Sequence, residues 1–245
     1  LKSLLSTSIA GDSQWRAEIL MSKAFYQMAQ DLSIGRLDPQ LVDQDIKYTR
    51  KEFTDAKLLP QILSAGPLQL SAGLDSLEPT IAAYQNLKKA LAYLREKRAN
   101  KTWIQLRSKE TFYLGVSSSE VPKLKAAIAQ QGYAFEQMDS EELSASDMQV
   151  LQTFEFEHAI EPEPVITPKS MIWKVLNAKV EERIRQVELS MEKLRWLPHV
   201  IEDRFVFVNL AATELSVFEQ GQVVMHFRTV NGGPYRRTPS MRDII

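Results

Sequence analysis

The spacing of apolar and polar positions divides the chain into a long helical part and a short β-patterned part. Apolar residues recur at helical spacing over residues 14–34, and again over residues 79–98, where Pro79 is expected to open the helix. The leucine-rich stretch between these two helices contains Pro60 and Gly73 and is expected to consist mainly of turns. The first part of the chain therefore reads as a helical domain.

The next segment contains shorter predicted helices and a proline-rich stretch. Val121, Leu124 and Ile128 share one helix face, and a further helix is expected over residues 146–158. The stretch AIEPEPVITPKS carries three prolines in seven residues and is not expected to form regular structure. This segment is predicted to be a small helical module set between larger elements.

The strongest helical pattern covers residues 177–197, with Asn177 as the expected N-cap. After Pro198 the period changes from 3.6 to 2, which predicts three strands within residues 204–231, with EQGQ as a hairpin turn. A sheet of three strands would leave an apolar edge unpaired. More chain is therefore expected after Ile245.

Composition excludes several classes of function. Lys plus Arg total 30 and Asp plus Glu total 31, which argues against a dedicated nucleic-acid binder. The chain has no cysteine, so it offers no disulfide, zinc–thiolate site or thiol nucleophile. No apolar run reaches the roughly 20 residues of a membrane span. Because the chain begins at Leu1, a start codon or signal segment is expected upstream.

The candidate chemistry is sparse. His158 lies among glutamates, where a solvated acidic loop is favoured over a metal site; His199 is interpreted as structural and His226 as a strand-face residue. Arg236 and Arg237 lie on a turn beside the predicted sheet, and two guanidinium groups there could hold an anionic peptide. The alternative is a solvated turn whose arginines pair with nearby acids.

Two long stretches resemble a known family. VEERIRQVELSMEKLRWLP and FVFVNLAATELSVFEQGQVVMHFRTVNGGPYRRTP are similar to the start of the catalytic domain of the large periplasmic L,D-transpeptidases of bacteria. Upstream, DSLEPTIAAYQNLKKALAYLREK resembles the second scaffold helix of that family, and residues 109–176 resemble its inserted peptidoglycan-binding module. The resemblance covers nearly the whole chain and is most specific over residues 180–239.

The resemblance implies an α+β fold. Residues 1–108 would form the first part of a helical scaffold domain, 109–176 the peptidoglycan-binding-like module, 177–200 the returning scaffold helix, and 201–245 the first strands of a catalytic β-sandwich. The implied site residues are substrate contacts, namely Tyr235, Arg236, Arg237 and Thr238. No cofactor and no metal are implied.

The implied function is cell-wall biogenesis, with a role in cell shape. A cysteine thiolate would attack a peptidoglycan tetrapeptide stem and form a thioester, which an amine then resolves into a 3→3 cross-link or a related exchange product. The implied partner is peptidoglycan in the periplasm, and an inner-membrane anchor would lie upstream of Leu1.

Two departures qualify this reading. The module has Phe154-Glu155 where the family has Phe-Gln, and the prolyl stretch Glu163–Thr167 where the family has a glycine turn. The catalytic cysteine and histidine of the family would lie beyond Ile245, so residues 1–245 alone are expected to be inactive. The alternative is a non-catalytic cell-wall-binding or scaffold protein derived from the family.

Overall fold

The computed structural model describes residues 11–199, 202–233 and 235–243, and it confirms the mixed α+β class with a helical scaffold. The helices are α1 (Gly11–Ile34), α2 (Pro39–Val42), α3 (Leu59–Ser64), α4 (Pro67–Asp75), α5 (Ala82–Asn100), α6 (Val121–Ala129), α7 (Ala145–Glu157), α8 (Met171–Leu176) and α9 (Val180–Trp196). The strands are β1 (Phe112–Tyr113), β2 (Val165–Ile166), β3 (Arg204–Asn209), β4 (Glu214–Glu219) and β5 (Gln222–Arg228). No described helix is both long and apolar enough to cross a membrane.

The chain divides into two compact units, one formed by Leu1–Lys88 with Leu189–Ile245 and the other by Lys89–Glu188. The second unit contains the whole of residues 109–176. The boundaries between the units, at residues 88/89 and 188/189, fall inside α5 and α9. The predicted domain boundaries at residues 109, 177 and 201 stay predictions.

The helical elements of the first unit differ from the sequence prediction in two places. The leucine-rich stretch forms α3, α4 and a short 3₁₀ helix over Asp55–Leu58, so its assignment to turns was wrong. Its prolines lie in the first turns of α3 and α4, where the missing N–H costs no hydrogen bond. Helix α5 begins at Ala82, so Pro79 does not open it.

A small apolar core holds the first helices together. Ala29, Leu59, Ile62 and Leu77 form its buried cluster, and Phe25 packs against it. Asp38 caps the start of α2, because its side chain accepts a hydrogen bond from the Gln40 N–H at 3.0 Å. This cap uses a backbone donor that the helix itself cannot pair.

The end of α9 is fastened to the segment that follows α1. Glu192 is buried, and its Oε1 accepts hydrogen bonds from the Leu37 N–H at 2.8 Å and from the Trp196 indole at 3.2 Å. Gly35 has a φ of +83°, and a Cβ at this position would lie 2.8 Å from Glu192 Oε1. The close approach therefore requires glycine for both its backbone angle and its size.

Two further bonds fix the chain just after α9. Lys51 Nζ donates to the Leu197 carbonyl at 2.7 Å, and the His199 Nε2 is hydrogen-bonded to the Ser33 carbonyl. These contacts bear out the interpretation of His199 as a structural residue. They hold residues 197–199 against the segments that contain Ser33 and Lys51.

The second unit has a core of its own, built mainly from α6, α7 and α8. Fully buried members include Leu124, Leu151 and Phe154, and Phe112 stacks on Trp173 with ring centroids 5.9 Å apart. Phe112 pairs with Ile166 in an antiparallel two-stranded sheet. The expectation of no regular structure in the proline-rich stretch was therefore wrong at Val165–Ile166.

A buried ion pair lies inside this core. Lys125 Nζ is 2.7 Å from Asp147 Oδ2, and their side chains are 0% and 3% exposed. The ammonium also donates to the Gln137 carbonyl at 3.0 Å, and Asp147 forms a capping box with Ser144 at the start of α7. Every charge of the pair is thus compensated by hydrogen bonds, which a buried pair requires.

The predicted N-cap of the last long helix was wrong. α9 begins at Val180, and Asn177 instead follows the end of α8, where its Nδ2 donates to the Trp173 carbonyl at 3.0 Å. The sequence pattern missed α8, which occupies the positions just before Asn177. The Asn177 side chain thus donates to a carbonyl at the end of α8. An N-cap residue would instead accept a hydrogen bond from an unpaired N–H at the start of a helix.

The three predicted strands are confirmed as an antiparallel sheet in the order β3-β4-β5. The predicted EQGQ turn joins β4 to β5, and both of its central residues, Gln220 and Gly221, have positive φ, as in a type I′ hairpin. Between Val217 and Phe218 the register with β5 shifts by one residue. Within the described residues, the outer edges of β3 and β5 have no strand partner.

Neither face of this sheet is buried. The register places six apolar side chains on one face: Val206, Val208, Leu215, Val217, Met225 and Phe227. Met225 is 56% exposed and Phe227 is 53% exposed. On the other face Phe205 stacks on Phe218 at 4.6 Å, next to a polar group of Ser216, His226 and Glu214. The first set is named the apolar sheet face.

Substitution of Gly35 tests how closely α9 approaches the chain. Gly35→Ala should lose about 1–2 kcal/mol for its positive φ and about 1–3 kcal/mol more for the forced shift of Glu192 and Trp196. Gly221→Ala is the matched control, since its φ is +77° but nothing lies within 4 Å of its added Cβ. Urea unfolding should rank Gly35→Ala as clearly less stable than Gly221→Ala. Equal losses would contradict the packing described at Glu192.

The Lys125–Asp147 pair predicts a pH dependence of stability. Burial by itself raises the pKa of Asp147, but the bonds from Lys125 and Ser144 outweigh burial and lower the pKa below 3.8. Because the folded-state pKa is depressed, the stabilisation is complete above the unfolded-state pKa and is lost as pH falls through the folded value. Asp147→Asn should lose about 3 kcal/mol or more near neutral pH, since it leaves a buried ammonium unpaired.

The measurement is urea unfolding of wild type and variant from pH 7 down to pH 3. The difference between the two free energies of unfolding should be largest above pH 5 and should begin to shrink as the pH falls below the unfolded-state pKa of an aspartate, about 4. Asp139→Asn removes an exposed aspartate of the same unit and should follow wild type. Parallel curves for wild type and Asp147→Asn would contradict the prediction.

Candidate functional site

The predicted substrate-binding residues lie on a tight turn that follows β5. The Gly232 N–H donates to Thr238 Oγ1 at 2.7 Å, and the Arg236 N–H donates to the Gly233 carbonyl at 3.0 Å. A Cβ on Gly232 would lie 1.8 Å from the Arg236 carbonyl oxygen. The turn therefore requires glycine at position 232, because any side chain there would collide with the backbone of Arg236.

This turn is tied to the helical part of the same unit. Ile46 and Ser240 form a parallel bridge, in which the Lys47 N–H donates to the Ser240 carbonyl at 2.8 Å. The Ser240 N–H donates in turn to the Asp45 carbonyl at 2.9 Å. Ile46 is buried at this junction. Segments almost 200 positions apart in sequence thus share backbone hydrogen bonds.

One of the two arginines has an acidic partner. Arg237 Nη1 lies 3.3 Å from Asp45 Oδ2, and the side chains are 68% and 38% exposed. Such a distance and exposure define a weak pair, because solvent screens the attraction. The alternative interpretation of the turn, in which arginines pair with nearby acids, therefore applies to Arg237.

A shallow cavity of about 440 Å³ lies between the turn and the segment after α2. Its lining comes from two places in the sequence: Val42, Asp43, Gln44 and Asp45 from the first, and Tyr235 and Arg237 from the second. Asp43 Oδ1 accepts a hydrogen bond from the Asp45 backbone N–H at 2.9 Å, which fixes the Asp43 carboxylate. We call these six residues the mixed-charge cavity.

The four predicted residues therefore have different positions. Tyr235 and Arg237 line the mixed-charge cavity, and the Tyr235 side chain is fully exposed. Thr238 holds the turn through its hydroxyl, and Arg236 is exposed outside the cavity lining. Whether any of them contacts substrate stays a prediction.

Sequence reasoning missed the contribution of Asp43 and Asp45. Two aspartates in the stretch VDQD look like an ordinary solvated loop, and nothing local links them to residue 237. The only available signal was the match of their negative charge to the arginine pair of the turn. Charge alone could not select them from the 31 acidic residues of the chain.

His158 and His226 each have a defined neighbour in the structure. The His158 ring stacks on Phe154 at 4.0 Å, and its Nδ1 lies 2.8 Å from the Phe154 carbonyl. His226 Nδ1 is 3.1 Å from Ser216 Oγ on an exposed strand, in agreement with a strand-face position. Among the described residues, no cluster of three or more His, Cys, Asp or Glu could hold a metal ion.

The departures in the module have defined structural roles. Glu155 is 1% exposed, and its Oε1 accepts the Glu163 N–H at 3.4 Å. Burial raises the pKa of Glu155; the Glu163 N–H bond lowers it and the Glu163 charge raises it further. The Glu163 carboxylate accepts the Ser170 hydroxyl at 2.6 Å and the Met171 N–H at 3.3 Å. The two glutamates thus shape the chain that leads into α8.

Comparison with known proteins adds one finding. A family model described as a scaffold domain matches residues 1–91. The matched range lies inside residues 1–108, which the family resemblance implies to be the first part of a helical scaffold domain. No curated protein matches the chain.

The weakness of the Arg237–Asp45 pair can be measured. Arg237→Gln and Asp45→Asn should each change the free energy of unfolding by less than about 1 kcal/mol, because the pair is exposed and screened. Urea unfolding of both single variants and the double variant gives the coupling energy. A coupling above about 2 kcal/mol would show that the pair is a structural support, which its geometry does not predict.

Proposed function

We propose that this chain is the scaffold-bearing part of a periplasmic L,D-transpeptidase that acts on peptidoglycan stem peptides. Its catalytic cysteine and histidine would lie outside residues 1–245. Three observations support the proposal: the resemblance over residues 180–239, the scaffold-domain match to residues 1–91, and the uncovered sheet. The sheet carries most of the weight, because it is a physical feature independent of any family.

The apolar sheet face is difficult to reconcile with exposure to water. Met225 and Phe227 are more than half exposed there, Val206 and Val208 are 41% and 42% exposed, and Leu215 and Val217 are half-buried. Contiguous exposed apolar patches mark surfaces that contact other protein, a membrane or a ligand. In a β-sandwich a second sheet packs about 10 Å away and buries such a face. The feature thus supports β3–β5 as one layer of a larger β-domain.

The proposed reaction proceeds in two acyl transfers. A cysteine thiolate attacks the carbonyl of the diamino acid in a tetrapeptide stem, a C–S bond forms, and the C–N bond to the terminal D-alanine breaks with protonation of the leaving amine. An amine from a second stem then attacks the thioester, forms an amide and returns the thiolate, while its proton passes to the histidine. The same proposal covers attachment to another amine or exchange of the terminal residue.

This chain would contribute binding and support to that reaction. In the proposal, Arg237 and Tyr235 border the cleft that holds the stem peptide, and Thr238 keeps their turn in shape. The two bonds between Ser240 and the 45–47 segment hold the turn against the helical part of the unit. No cofactor or metal enters the reaction, and the partner is peptidoglycan.

Carbapenem labelling tests the proposal. A cysteine thiolate attacks the lactam carbonyl and opens the strained ring. The leaving nitrogen stays attached to the acyl group, so the entire carbapenem remains bound to the cysteine. The protein encoded by the complete gene should therefore gain the intact mass of one carbapenem. The control is residues 1–245 expressed alone, which have no cysteine and should gain nothing.

The coding sequence after Ile245 gives the complementary test. A Ser-x-Gly-Cys motif within the next hundred or so codons is expected, and its cysteine should be the labelled residue. A stop codon there, or a complete protein that takes up no carbapenem, would favour the alternative of a non-catalytic scaffold or cell-wall-binding protein.

A further inference from the structure

The mixed-charge cavity presents opposite charges side by side in one small space. Arg237 supplies a guanidinium, and Asp43 and Asp45 supply two carboxylates from a distant segment. We propose that this cavity binds a ligand end that carries both a carboxylate and an ammonium group, as a free amino acid does. The inference deepens the proposed function and rests on it only for the suggestion that the ligand end belongs to a peptidoglycan stem.

The contact to Asp45 uses only one nitrogen of the Arg237 guanidinium. Arginine carries five N–H donors in a planar fork, and the contact to Asp45 involves only Nη1 at 3.3 Å. A ligand carboxylate can accept two parallel bonds from such a fork, which is stronger than a single long contact. The exposed ion pair of the free protein is therefore replaced at little cost.

The carboxylates explain why the ligand also needs an ammonium group. If a carboxylate displaces Asp45 from Arg237, three negative groups meet around one cation. A monoanionic ligand would suffer this repulsion, whereas the ammonium group of a zwitterion would pair with the released Asp45 and with Asp43. The cavity should thus select a zwitterion over a ligand with either charge alone.

The arrangement is held in place before any ligand arrives. The Asp45 N–H bonds to Asp43 Oδ1 at 2.9 Å, and the Ser240 N–H bonds to the Asp45 carbonyl at 2.9 Å. Lys47, the nearest cation on the same segment, donates its Nζ to the Gln44 carbonyl at 2.8 Å. The volume of about 440 Å³ falls in the usual range for small-molecule sites.

Three related probes can test the charge preference by amide NMR on the full chain. D-Alanine carries both charges, N-acetyl-D-alanine only the carboxylate, and D-alaninamide only the ammonium group. D-Alanine should bind at least about tenfold more tightly than the other two, a difference of about 1.4 kcal/mol. Its shifts should be centred on the amides of residues 43–45, 235–238 and 240.

Three variants assign the roles. Arg237→Gln should abolish binding of both carboxylate probes, and Asp45→Asn should reduce the preference for D-alanine over N-acetyl-D-alanine to about twofold or less. Asp139→Asn, which removes an exposed aspartate of the other unit, should bind like wild type. Amide spectra of each variant without ligand should match wild type outside the cavity, which separates a lost site from a lost fold.

Equal affinity for the three probes, or no shifts at the cavity, would overturn the inference. This failure is distinct from failure of the proposed function, because carbapenem labelling does not depend on the cavity. A labelled protein without zwitterion preference would retain the transpeptidase proposal and reject the binding site. An unlabelled protein that prefers D-alanine would do the reverse.

Discussion

The approach of α9 to Gly35 is the constraint on which the first unit depends. Gly35 leaves room for Glu192 and Trp196, and the Glu192 carboxylate then takes up the Leu37 N–H and the Trp196 indole N–H. Burying a carboxylate without donors would be costly, so the missing side chain at Gly35 and the two hydrogen bonds are needed together. Residues almost 160 positions apart are joined in this way.

The same unit also contains the mixed-charge cavity. With the end of α9 fixed, Lys51 and His199 hold the chain directly after α9, and Arg237 in the turn after β5 pairs with Asp45. Two backbone bonds to Ser240 secure that meeting. The mixed-charge cavity is therefore a product of the chain path, since neither contributing segment forms it alone.

Much of this fold could be predicted from periodicity, because amphipathic helices and alternating strands leave a direct record in sequence. The strands at β3–β5 and their hairpin turn were found in this way. Short elements were missed: α8 and the β1–β2 pair depend on burial around Phe112 and Trp173, which no local pattern reports. Asp45 was missed as a site residue because its importance comes from Arg237, far away in sequence.

The central proposal is that another layer of protein covers the apolar sheet face. Hydroxyl-radical footprinting of the protein encoded by the whole gene tests this directly, because thioether oxidation reports solvent access. Met225 on that face is 56% exposed here and Met138, in the other unit, is 37% exposed. We predict that Met225 is oxidised much more slowly than Met138 in the complete protein. Faster oxidation of Met225 than of Met138 would contradict the account.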